Sequence, residues 1–297
     1  ELLQELEECR ANLRLVQDQL EMERTQHRLE SRNFDRVRTA NLPWPSYYAE
    51  FRMDRLALGD PVHAFFSKLF CESCVEHREH LHSRKYLPAP ELLVRHIDVV
   101  VNPRLVKQYY TKADEIESLR RSGCAAIPPL THLKIPSRKG CSPHDLDLNE
   151  HFVFHGASSD VVKEICHGGF DPRRGGEGVG KMFGVAAYFA MNASKSDIYT
   201  EHLAQRSPKN AERQIIIARA LLGESYRAVH AMQEVTRPPD GSDRRPLDSV
   251  WAEERKNGGV VDHLEVMLYD KGQAYPEAVI TYTHAESCAC AECAKRP

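Results

Sequence analysis

Over the first forty residues, apolar or near-apolar side chains fall at Leu2, Leu6, Cys9, Leu13, Val16 and Leu20. The spacing alternates four and three, which is the seam of a left-handed coiled coil. Glu23, His27 and Glu30 then occupy the seam, so the pattern weakens after about three heptads, the lower limit for such a reading. Three readings stay open for residues 1–40: a homodimerising coiled coil, a single helix lying on the following domain, or a solvated charged helix. Pro43 and Pro45, around Trp44, break the helix. A second helix is expected from about Pro61 to Glu79, with Val62, Phe65, Phe66, Leu69 and Phe70 on one face. Leu93 to Val101 is short and β-branched and predicts a strand. Arg104 to Arg121 predicts a helix. Residues 122–148, with Pro128, Pro129, Pro136 and Pro143, read as loop.

From His151 the pattern shifts to short apolar runs. HFVFHG predicts a strand ending on Gly156. Ser158 or Ser159 caps a helix from about Asp160 to His167, which Gly168 and Gly169 end. The glycine-rich stretch 171–184 is a loop, AAYFA (186–190) a strand, and NASKSDIYTEHLAQ (192–205) a helix. RQIIIARALLG (213–223), VDHLEVMLYD (261–270) and AVITYTH (278–284) are strands, the last two joined by a turn at KGQAYPE. Short strands with two interspersed helices indicate an α+β fold. The expected division is a coiled-coil-like helix at 1–40, a helical linker region with a Cys/His cluster at 41–87, a catalytic domain at 88–284 and a cysteine-containing tail at 285–297.

Composition narrows the classes. The 297 residues are 41% hydrophobic and 28% charged, with a net charge of −3. No apolar run is long enough to span a membrane, and the charge balance does not indicate a nucleic-acid-binding body. Nine cysteines at scattered spacings suit thiols or metal ligands in a reducing compartment. We therefore expect an intracellular location, nuclear or cytoplasmic.

Two motifs invite chemistry and carry little alone. GGEGVG (175–180) has the glycine spacing of a dinucleotide loop, but a helix precedes it and none opens on it. Cys71, Cys74, His77 and His80 have zinc-ligand chemistry. Their spacing is not that of a zinc finger, and an ordinary amphipathic helix is the preferred reading. Cys288, Cys290 and Cys293 lie near His284, and a site shared with the first cluster is the other zinc arrangement weighed.

Four blocks, taken in order, carry more: FVFHGASSDVVKEICHGGFDPR (152–173), GKMFGVAAYFAMNASKSDIY (180–199), ERQIIIARALLGESYRA (212–228) and LEVMLYDKGQAYPEAVITY (264–282). With RHIDVVVNPRLVKQYY (95–110), they resemble the catalytic domain of poly(ADP-ribose) polymerases, most closely the tankyrase-like and nuclear polymerase branches. The resemblance implies the ADP-ribosyltransferase fold, with two packed, mainly antiparallel sheets and an NAD⁺ cleft between them. It implies transfer of ADP-ribose from NAD⁺ to protein acceptors, with nicotinamide released. It carries the family's His-Tyr-Glu triad onto His155, Tyr188 and Glu265, and the nicotinamide contacts onto Gly156, Ser196, Tyr188 and Tyr199. His155 would hold the adenosine ribose, and the two tyrosines would sandwich the nicotinamide ring. The chemistry suits such a set, because the bond between nicotinamide and ribose breaks with positive charge developing on the sugar. A carboxylate fixed nearby stabilises that charge.

The tankyrase-like branch has a zinc ribbon inside this domain, and no cluster here matches it. One departure is Ala186, which stands where the family has a second glycine before the triad tyrosine. If the backbone there needed φ > 0, alanine would cost on the order of 1 kcal/mol. An NAD⁺-binding pseudoenzyme, or a mono-ADP-ribosyltransferase with a coiled-coil scaffold role, is the alternative. The expected acceptor loop is Arg237–Arg255, where Arg237, Arg244 and Arg245 could hold an acceptor's pyrophosphate; an ordinary solvated charged loop is the preferred reading of those arginines.

Overall fold

The structure is a computed structural model. It describes residues 51–80, 83–121, 148–175, 181–201, 207–242 and 244–295. The seam at 1–40, the Pro43–Pro45 break, residues 122–147 of the proline-containing loop and positions 176–180 of the glycine-rich loop lie outside the described residues. All described residues belong to one compact unit.

Eleven strands are described: β1 Arg52–Arg55, β2 His77–Arg78, β3 Tyr86–Leu87, β4 Leu92–Val101, β5 Glu150–Gly156, β6 Ala187–Ala190, β7 Arg213–Leu221, β8 Ser225–Ala228, β9 Ser249–Ala252, β10 Glu265–Leu268 and β11 Ala274–His284. The described helices are α1 Pro61–Glu72, α2 Pro103–Arg121, α3 Ser159–Gly168, α4 Ala193–Asp197 and α5 Ala291–Ala294.

Nine strands form one hydrogen-bonded sheet in the order β1-β4-β11-β7-β5-β6-β10-β9-β8. The two-sheet expectation is corrected on this point. The reason lies at the centre of the ladder: β5 pairs with β7 along seven residues, but with β6 only at Phe154 and Ala190. That narrow seam joins two blocks of strands into one sheet. Pairing is antiparallel throughout, except between β8 and β9. The short strands β2 and β3 pair separately.

The helices form where their ends are satisfied. In α1, Asp60 caps the first turn by accepting from the Val62 N–H at 2.7 Å, and Pro61 follows at the first helical position. Its inner face buries Val62, Phe66, Leu69 and Phe70. Phe66 meets the Phe152 ring, and Phe70 meets those of Phe154 and Tyr282. The helix ends at Glu72, not at Glu79 as expected. There the Ser73 hydroxyl donates to the Phe70 carbonyl at 2.9 Å, and the chain turns away to form β2. Along α2, Leu105, Tyr109, Ala113 and Ile116 make one buried stripe against Leu148, Leu221 and Tyr275. Asn102 joins two elements: its carboxamide oxygen accepts from the Leu105 N–H, and its NH₂ donates to the Cys166 and His167 carbonyls at the end of α3.

Three further expectations shift. Ser158 is the N-cap of α3 by backbone geometry, yet its side chain makes no capping bond. Within the described part of the helix expected over 192–205, regular helix is found in α4; the Thr200 hydroxyl donates to the Asp197 carbonyl just after it, a bond that competes with a further helical turn, and positions 202–205 lie outside the described residues. The turn expected at 271–277 is only the 3-10 turn Lys271–Gln273, capped by Asp270. Ala274 already pairs with Ala220, so β11 starts earlier than its apolar run. Pro276, which has no N–H to donate, sits where the β11–β7 register shifts. No described helix is long and apolar enough to cross a membrane.

Candidate active site

The register of three strands puts the three expected triad residues on neighbouring strands. Glu265, first in β10, pairs with Ala190 of β6, and Ala190 pairs with Phe154 of β5. His155 follows Phe154, and Tyr188 lies two residues before Ala190. Residues opposite each other, or two apart on one strand, share a face. Glu265 and Tyr188 therefore stand on the same face of the β6–β10 pair.

His155 packs edge-on to Phe170 and beside Phe189. Its Nδ1 lies 2.8 Å from the Tyr188 carbonyl oxygen. A carbonyl accepts, so Nδ1 carries the proton and Nε2 keeps a lone pair in the neutral ring. Burial lowers the His155 pKa, and the bond to the Tyr188 carbonyl only partly opposes it.

Tyr188 is held at its far end. Its hydroxyl donates to the Gly184 carbonyl at 2.8 Å and accepts from the Phe183 N–H at 3.0 Å. Burial raises its pKa, so the phenol stays protonated. The strain feared at Ala186 does not arise: among the described residues, the non-glycine positions with φ > 0 are Asn149 and Arg244. Ala186 is fully buried in the core. Gly184 takes the left-handed conformation instead, at φ +79, and a Cβ there would meet the Val235 carbonyl oxygen at 1.9 Å.

Glu265 has a partner absent from the sequence-based list. The Lys195 ammonium lies 3.1 Å from its carboxylate and donates to the Tyr199 hydroxyl at 2.9 Å. It also sits over the Tyr199 ring, 5.0 Å from the centroid. Burial pulls the Lys195 pKa down, but the Glu265 carboxylate and Tyr199 outweigh it and hold the lysine above its usual range. The Lys195–Tyr199 spacing of four was visible in the sequence. Glu265, seventy positions away, left no local signal.

Gly156, Ser196 and Tyr199 lie around α4. A Cβ on Gly156 would fall 1.8 Å from the Ser196 carbonyl oxygen. Glycine is thus required at the end of β5 for the close approach of α4, apart from any ligand. Ser196 is buried and Tyr199 half-open to solvent.

The expected acceptor segment is partly strand, since β9 occupies Ser249–Ala252. Arg237 pairs with Asp240 inside the segment, and Arg245 donates to the Leu119 carbonyl. Of the two zinc arrangements, the Cys71–His80 cluster does not assemble, because α1 stops at Glu72 and the later members follow a different path. Among the described residues, the ligand atoms that converge are those of His284, Cys288, Cys290 and Cys293.

Comparison with known proteins identifies the family. The family described as "Poly(ADP-ribose) polymerase catalytic domain" matches residues 111–284. Similar curated proteins include Protein mono-ADP-ribosyltransferase PARP11 of Mus musculus, 30% identical over 151 residues, covering 46% of this chain and 43% of that protein. Protein mono-ADP-ribosyltransferase PARP12 of Homo sapiens is 32% identical over 138 residues, covering 46% of this chain and 17% of that protein. The match therefore spans less than half the length of either relative. Because the family match takes in more than half of the chain, the chain belongs to the poly(ADP-ribose) polymerase catalytic-domain family.

Proposed function

We propose that this chain transfers ADP-ribose from NAD⁺ to protein acceptors and releases nicotinamide. The observation that carries the reading is the Glu265 carboxylate, placed at the start of β10 on the Tyr188 face and held by Lys195. The bond that breaks joins the nicotinamide nitrogen to the ribose C1, and its electron pair leaves with nicotinamide. Positive charge develops on the sugar, as in glycoside hydrolysis. The Glu265 carboxylate, fixed beforehand by Lys195, stabilises that charge and orients the ribose hydroxyl. His155 binds the adenosine ribose through Nε2. Gly156 and Ser196 bind the carboxamide, and Tyr188 and Tyr199 flank the ring.

A second reading concerns the product. Elongation uses a ribose hydroxyl, a weak nucleophile, and a carboxylate within reach can accept its proton. Glu265 favours chain growth on this argument. The curated relatives are named mono-ADP-ribosyltransferases, which favours single additions. Mass spectrometry of modified acceptor at saturating NAD⁺ separates the two.

The test of the main reading is Glu265→Gln with labelled NAD⁺. The change keeps size and hydrogen bonding and removes the charge. Transfer is expected to fall about 100-fold or more, with the melting temperature nearly unchanged. Activity within about threefold of the parent would overturn the assignment of Glu265. Binding of NAD⁺ by the parent without any nicotinamide release would leave the pseudoenzyme reading standing.

A further inference from the structure

We infer that His284, Cys288, Cys290 and Cys293 form a structural zinc site that fastens the end of the chain to the helix beside Glu265. The inference goes beyond the transfer reaction and does not depend on it. His284 is the last residue of β11, Cys288 and Cys290 lie in the turn that follows, and Cys293 is in α5. All four are buried, and their ligand atoms lie within 4.8 Å of one another. His284 Nδ1 stands 3.5 Å from Cys288 Sγ, 3.7 Å from Cys290 Sγ and 3.2 Å from Cys293 Sγ. A tetrahedral zinc, with Zn–S near 2.3 Å and Zn–N near 2.0–2.1 Å, sets nitrogen-to-sulfur edges of about 3.5 Å. Three sulfurs and one nitrogen select zinc over the hard cations, and four protein ligands leave no open position for catalysis.

The surroundings are those of a metal-bound imidazole. The other ring nitrogen, Nε2, lies 3.0 Å from the Asp197 carboxylate. A ligating histidine usually donates its second N–H to such a partner, which orients the ring. The Tyr282 hydroxyl also donates to Asp197 and fixes that carboxylate. Backbone N–H groups support two of the sulfurs: Glu91 N donates to Cys288 Sγ at 3.4 Å and Cys293 N to Cys290 Sγ at 3.5 Å. Three thiolates with one Zn²⁺ leave a net negative charge, and Lys209 brings an ammonium to the Cys288 carbonyl at 2.7 Å. A disulfide would leave one of the three thiols unmatched. Through Asp197, the last residue of α4, the site bears on the helix that carries Lys195 and Ser196.

The test is metal analysis of the full chain, purified without chelators under reducing conditions. We expect one zinc per chain. Exchange for cobalt is expected to produce visible bands of a tetrahedral ion and a thiolate charge-transfer band. Cys293→Ser should lose the metal, whereas the double change Cys71→Ser, Cys74→Ser should keep it. Asp197→Asn should weaken zinc binding about 10–100-fold. Should Cys293→Ser fail to fold, the cobalt spectrum of the parent and the zinc content of the Cys71/Cys74 variant still decide. A parent holding under about 0.1 zinc per chain and taking up neither zinc nor cobalt would overturn the inference. So would loss of zinc from the Cys71/Cys74 variant with its fold intact, or an intact mass showing a native disulfide among the three tail cysteines.

Discussion

Glu265 and His155 draw their chemistry from neighbours that no local spacing announces. Lys195 holds the carboxylate, and the Tyr188 carbonyl fixes the tautomer of the imidazole. A third residue near this centre has a measurable consequence. His77 stacks at 4.2 Å from the His263 ring. Burial first, and then the charges of His263 and Lys195, pull its pKa down to about 3, against the opposing pull of Asp197. In the unfolded chain the same group titrates near its ordinary value of about 6.5. Between these two values the unfolded state binds the proton and the folded state does not. Stability is therefore fully present above pH about 6.5 and is lost as pH falls towards about 3. His155, also shifted down, adds in the same direction. Calorimetry from pH 7.5 to 4 should show a falling melting temperature, and His77→Phe should flatten the slope. A variant with the parent's slope would remove His77 from the account.

Between elements, the contact that places α4 is polar. The Ser73 hydroxyl, at the end of α1, accepts from the Ala193 N–H at 3.0 Å. Asn192 donates to the Ser73 carbonyl at 3.1 Å, and the Ser194 hydroxyl accepts from the Val75 N–H at 3.0 Å. The first satisfies a backbone N–H at the start of a short helix that could not stand alone, and the other two satisfy backbone groups of the segment after α1. Ser73→Ala removes the acceptor for the Ala193 N–H, a loss of about 1–2 kcal/mol. Urea unfolding should register it as a lower midpoint with an unchanged slope. A midpoint equal to the parent's would show that water replaces the hydroxyl at no cost. The apolar face of α1 was legible beforehand: Val62, Phe65, Phe66, Leu69 and Phe70 were read as one face, all but Phe65 are buried, and the face packs on Phe152, Phe154 and Tyr282.

At the scale of the molecule, one sheet carries the site near its narrowest seam. β5 and β6 meet at a single pair, and the triad residues sit at or beside that pair and its continuation onto β10. A ligand bridging these strands binds the native state and not the unfolded one, so it must raise the melting temperature. A benzamide, which carries the aromatic amide of nicotinamide, should do so in a dose-dependent way. Gly156, Ser196, Tyr188 and Tyr199 are the residues proposed to hold it. No shift at millimolar concentration would count against that group of contacts, whatever the fate of Glu265.

Much of this was in the sequence. Hydrophobic runs located β4, β5, β7 and most of β11, because each buries consecutive residues and so reads locally. Pro61 and the phenylalanine stripe located the start of α1, though not its end. The four ordered blocks identified the family and named His155, Tyr188 and Glu265. What the chain did not disclose are relations between distant residues. The edge strands β1 and β8 have few apolar residues of their own and depend on neighbours for their pairing, and β9, though buried, is only four residues long. The single sheet depends on one pair, Phe154 with Ala190. Lys195 finds Glu265 across seventy residues. His284 faces both Asp197, 87 positions earlier, and the three tail cysteines, whereas neither of the arrangements weighed from the sequence, the Cys71–His80 set or a site shared between it and the tail, draws its ligand atoms together among the described residues. Periodicity reports which side of an element is buried; which residues meet across the buried side is decided by strand register and helix docking, and those exist only in the folded chain.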